Sequence, residues 1–98
     1  MSFELAEAAE RGDLTLVKSL IANGANVHAY DDSALIWASN NGHLDVVKYL
    51  VSVGVDIHAR DDYALRMASG NGHKHVVEYL RGVIRLRERR RRLEVHLG

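Results

Sequence analysis

The chain has 98 residues, with 13 basic and 13 acidic side chains, no cysteine and no proline. This length supports a single domain, and the missing thiols exclude a disulfide framework and a thiolate metal site. The formal charge of zero hides a division: residues 1–80 carry six basic and eleven acidic side chains, a net −5, and residues 81–98 carry a net +5.

The first segment holds Glu4, Glu7, Glu10 and Asp13, where a secretory leader needs a basic start and an apolar core. No later apolar run approaches the length of a bilayer span. An intracellular protein, of cytoplasm or nucleus, is expected. The same segment opens a thirty-residue period. Leu5, Leu35 and Leu65 are in step, as are Ala8, Ala38 and Ala68; Gly12, Gly42 and Gly72; Val17, Val47 and Val77; and Leu20, Leu50 and Leu80. A fixed period in this range marks a solenoid, in which each unit leaves an apolar face that its neighbour covers. Repeats of about 1–30, 31–60 and 61–90 follow, with residues 1–80 as the solenoid and 81–98 as a basic tail.

The second copy gives the clearest reading of one unit. Asp32 is placed to cap a first helix that carries Ala34, Leu35, Trp37, Ala38 and Ser39. Asn41-Gly42 stops it, glycine supplying the left-handed conformation that helix ends favour. Leu44, Val47, Tyr49, Leu50 and Val51 form a second stripe with Asp45, Lys48 and Ser52 facing out. The valines admit a strand, but the spacing of Val47, Leu50 and Val51 and the glycine stops at both ends favour helix. Gly54 ends this helix, and residues 55–59 form an extended link. The unit is therefore helix, turn, helix, connector, and about six helices are expected.

In the third copy the stop is missing: Gly24 and Gly54 give way to Ile84. The last helix is predicted to run on through Arg85 toward Arg92, despite Gly82, and to cap the stack. Leu86, Leu93, Val95 and Leu97 do not continue the earlier stripe, so no order is predicted there. Arg85, Arg87, Arg89, Arg90, Arg91 and Arg92 admit three readings: a solvated helix end, an anion contact, or docking on the acidic body. An anion contact covers nucleic acid, anionic lipid or nuclear import. No aromatic residue is interleaved, which disfavours stacking on single strands.

These residues resemble the ankyrin repeat. The likeness rests on Leu35-x-x-Ala38-Ser39-x-Asn41-Gly42-His43-Leu44-Asp45-Val46-Val47-Lys48-Tyr49-Leu50 and on Gly54-Val55-Asp56-Ile57-His58-Ala59, with matching runs in the first copy. The wording of Asp61-Asp62-Tyr63-Ala64-Leu65-Arg66-Met67-Ala68-Ser69 is similar to ankyrin repeats abundant in giant DNA viruses of amoebae. The family unit is about 33 residues long; here it is thirty, and the family's histidine positions hold Ala6, Ile36 and Arg66. A clipped connector is expected in place of a projecting hairpin. The resemblance implies an all-α solenoid of three helix–turn–helix repeats with a helical C-terminal extension. It implies a non-catalytic module that binds another protein on a concave face. The contact positions it implies are Tyr30, Ser33, Ile36, Asn40, Arg60, Tyr63, Arg66 and Gly70, extended in copy one by Glu7 and Glu10. These positions differ between copies two and three where the packing positions do not.

No catalytic, cofactor or metal site is expected. There is no phosphate loop, no nucleophile elbow and no His-Glu-x-x-His. His28 with His58, and His43 with His73, hold equivalent positions in stacked units, about 10 Å apart and too far for one tetrahedral zinc. Asp31-Asp32 and Asp61-Asp62 are read as helix caps. Trp37 and Met67 share a position that serves either packing or a semi-exposed anchor. Competing with protein binding are nucleic-acid or anionic-lipid contact through the tail alone, self-association through the solenoid ends, and a scaffold or fragment with no native partner.

Overall fold

The computed structural model describes residues 3–97. Among them are six helices and no strand: α1 (Glu4–Arg11), α2 (Leu14–Ala22), α3 (Ala29–Asn40), α4 (Leu44–Ser52), α5 (Ala59–Gly70) and α6 (Lys74–Leu97). Each pair is joined by the same turn. Gly12, Gly42 and Gly72 have φ of 75°, 74° and 74°. The amide after each glycine returns to a carbonyl five residues back: Asp13 to Ala8 at 3.0 Å, His43 to Ala38 at 2.9 Å, His73 to Ala68 at 2.9 Å. This closure satisfies the last carbonyls of the first helix and reverses the chain within a few residues. Asp13 then accepts the Leu16 amide at 3.0 Å and caps α2.

α1, α3 and α5 pack in one inner row, and α2, α4 and α6 stand behind them in a looser outer row. The in-step residues fill the space between. Ala8, Ala38 and Ala68 are fully buried and let the inner helices approach closely. Leu35, Val46, Val47, Leu50, Val76 and Leu80 form the larger part of the core. Three stacked helix pairs with short connectors thus match the architecture expected from the period.

The connectors correct the sequence reading of the aspartate pairs. Tyr30, Asp31 and Asp32 all take left-handed φ values (56°, 57°, 59°), as do Arg60, Asp61 and Asp62 (54°, 58°, 60°). Right-handed helix begins only at Ser33 and at Tyr63. The aspartates therefore lie in a left-handed turn instead of at a cap with extended backbone. Asp tolerates this region better than most residues. Asp32 Oδ1 accepts the Nδ1 proton of His28 at 2.6 Å and the amide of Asp56, in the next connector, at 3.1 Å. Asp62 accepts from His58 Nδ1 in the same way. Asp31 Oδ2 meets Arg60 Nε at 3.3 Å.

α6 continues to Leu97, past the point where the sequence predicted order. At 1.5 Å per residue its 24 residues span about 36 Å. Residues 85–95 are exposed along it. No helix among the described residues is long and apolar enough to cross a membrane.

Candidate functional site: the concave groove

The inner row leaves one face open, and side chains from the connectors and first helices line a groove of about 480 Å³ across it. Its walls are Phe3 and Ala6 before and within α1, Tyr30, Ser33, Ile36, Trp37 and Asn40 in the middle, and Arg60, Tyr63 and Met67 from α5. Phe3 and Tyr30 stack with ring centroids 4.5 Å apart. Trp37 is 43% exposed, unusual for so large an apolar surface. The lining is chiefly aromatic and aliphatic.

Six of the eight contact positions implied by the sequence lie together here: Tyr30, Ser33, Ile36, Asn40, Arg60 and Tyr63. Their environments differ. Ile36 is 7% exposed and forms floor rather than wall. The Ser33 hydroxyl donates to the Ala29 carbonyl at 3.4 Å. Asn40 is partly engaged in the stack, its Oδ1 accepting from Asn71 Nδ2 at 2.8 Å. Arg66 and Gly70 stand outside the lining. Arg66 lies over the Tyr63 ring at 5.1 Å and donates to the carbonyls of Asp61 and Arg60, so it braces the connector tip. Gly70 is exposed at the end of α5. Glu7 and Glu10 are exposed on α1 and give that end of the face its acidic character.

Four lining residues were not singled out as contact positions: Phe3, Ala6, Trp37 and Met67. Trp37 and Met67 carried a signal, since one position of the first helix holds a large side chain in two copies. Phe3 carried one too, being thirty residues before Ser33 and sixty before Tyr63.

Two histidines serve the stack. His43 Nε2 donates to the Glu10 carbonyl and His73 Nε2 to the Asn40 carbonyl, each at 2.9 Å and each reaching the preceding repeat. Among the described residues no three of His, Asp and Glu gather closely enough to hold a metal ion. Behind the groove, Lys18 lies 5.5 Å from the Tyr49 ring centre and Lys48 lies 5.7 Å from that of Tyr79, tying the outer helices together. The tail arginines Arg85, Arg87 and Arg89 to Arg92 are all exposed, and Val83, Leu86 and Leu93 form a shallow apolar strip among them.

A family model for ankyrin repeats matches the chain in three copies over residues 5–85. No curated protein sequence matches it.

Proposed function

The chain belongs to the ankyrin-repeat family, and on that premise we propose that it holds a partner protein in the concave groove and performs no chemistry there. Ankyrin repeats are generally protein-interaction modules. The observation that carries the reading for this chain is the exposed Trp37 at the centre of an aromatic lining that also holds Tyr30 and Tyr63. Aromatic side chains in a preformed hollow dominate binding energy because they bury much area and lose little entropy. The groove's apolar middle suits an apolar or aromatic anchor of the partner.

Selection from a displayed peptide library tests this. Enriched peptides should share an apolar or aromatic anchor. Trp37→Ala with Tyr63→Ala should remove their binding and leave the helical spectrum in place. Failure to enrich any peptide, or binding indifferent to the two substitutions, would overturn the reading.

A second reading rests on α6. Its exposed arginines form a cationic rod that suits a polyanion, whether nucleic acid or an anionic surface. Binding to duplex DNA or heparin that falls steeply with salt supports it; weak binding insensitive to salt removes it.

A further inference from the structure

The groove carries a charge pattern along its open face. Glu7 stands thirty residues before Trp37 and sixty before Met67, and Glu10 stands thirty before Asn40 and sixty before Gly70. Trp37, Met67 and Asn40 line the hollow. The period and the close packing of α1 on α3 therefore set both glutamates on the same face. Glu7 is also one helical turn from Phe3, and Glu10 one turn from Ala6, the two wall residues at the α1 end. Where copies two and three present an indole and a thioether, copy one presents a carboxylate.

Glu7 and Glu10 are exposed. The ion pairs among the described residues are His28–Asp32, His58–Asp62 and Arg60–Asp31, and neither glutamate takes part in them. Arg11, one turn after Glu7, takes part in none of them either. At the α5 end the cations are already engaged: Arg60 meets Asp31 at 3.3 Å, and Arg66 lies 5.1 Å from the Tyr63 ring centre. The face thus runs from two carboxylates at α1, across the exposed indole of Trp37, to two arginines at α5.

On the reading of the groove as a protein-binding site, we propose that the segment it holds, from another protein, carries an arginine beside its apolar anchor. The arginine points to the α1 end, with its guanidinium between the Trp37 indole and the Glu7 carboxylate. Neighbouring packed helices lie about 8–10 Å apart. A guanidinium sits within about 6 Å of an indole centre and about 2.8 Å from a carboxylate oxygen. One planar cation therefore spans the rung from Glu7 to Trp37. Lysine carries the charge without the planar fork, so arginine is the better fit.

The charges also set the direction of the segment. An acidic side chain at the α1 end would face Glu7 and Glu10 together, and a cation at the α5 end would meet Arg60 and Arg66. The hollow supplies the binding surface, and the two glutamates select which occupant fits it.

Two selections from one randomised peptide display library test this, one on the unaltered chain and one on Glu7→Gln with Glu10→Gln. Both positions are exposed, and helical circular dichroism checks the fold of the variant. The first pool should carry an arginine at a fixed offset from its apolar or aromatic anchor. The second should keep the anchor and lose the arginine. A peptide from the first pool should bind Glu7→Gln about tenfold more weakly at low salt. Replacing its arginine with glutamine should cost as much on the unaltered chain and nothing further on Glu7→Gln. Anchored peptides with no basic residue, or equal binding to Glu7→Gln, overturn the arginine assignment and leave protein binding in the groove standing. Failure to enrich any peptide overturns both. Self-association of the unaltered chain that Glu7→Gln abolishes would give the groove to the Arg-rich α6 of a second copy, and overturns a segment from another protein.

Discussion

The carboxylate of Asp32 and the amide of Asp56 are joined at 3.1 Å, linking one connector to the next. The same oxygen accepts from His28, so one buried carboxylate ties two connectors. Asp62 makes the histidine contact alone and is far more exposed. Both residues have the same left-handed φ, so truncating either one changes local strain equally. Asp32→Ala should therefore cost about 1–3 kcal/mol, because it leaves a partly buried amide unpaired. Asp62→Ala should cost under about 1 kcal/mol, as exposed pairs do. Urea denaturation of the two variants measures the difference, and equal losses would show that the bond between connectors contributes nothing.

Gly12 and Gly72 share one backbone conformation but not one neighbourhood. Alanine at either must take a left-handed φ, at about 1–2 kcal/mol. At Gly12 the methyl group also collides with the His43 ring. Gly12→Ala should thus exceed Gly72→Ala by about 1–3 kcal/mol. The excess should shrink when His43→Ala is added, which a double-mutant cycle reads directly.

Ser39 Oγ is buried without a hydrogen-bond partner. The first copy holds Ala9 at this position, also fully buried. Ser39→Ala should raise stability by up to about 1 kcal/mol, since it removes a desolvated hydroxyl and leaves no larger void than copy one tolerates. A lower thermal midpoint would mean that the hydroxyl has a role in the stack.

Replacing Arg89, Arg90, Arg91 and Arg92 with Ala should leave the thermal midpoint nearly unchanged, because all four are exposed. If α6 contacts polyanions, the slope of log affinity against log salt for duplex DNA should fall by up to about 4. An unchanged slope would place any DNA contact elsewhere on the molecule.

Much of this architecture was legible in the sequence because a period of thirty fixes which residues share a face. Leu35, Ala38, Val47 and Leu50 had to be hidden whatever the connector did, and the turn glycines had to be left-handed to reverse the chain. The connectors were less legible. Asp-Asp before an apolar run reads as a helix cap, and nothing in three consecutive non-glycine residues announces a left-handed turn. The His28–Asp32 and His58–Asp62 spacing was present in both copies and was the available signal. The groove was half legible. Differences between copies pointed to Tyr30, Arg60 and Tyr63, but a helical position alone does not say whether Trp37 faces the neighbouring helix or the open side. Arg66 shows the converse, since a variable, charged position proved to brace its own connector.

The two rows of helices are held by bonds of different character. The inner row is pinned by short directed contacts, His43 to Glu10 and His73 to Asn40. The outer row, beyond its buried valines and leucines, is joined by lysines over tyrosine rings at 5.5 and 5.7 Å, attractions that tolerate sliding and tilting. Flexing therefore has a preferred axis along the inner edge. Small tilts of the outer helices change curvature without breaking an oriented bond, while shearing one unit past the next would break several. The molecule should respond to load as a leaf spring, able to tighten or relax its grip on an occupant without losing its own register.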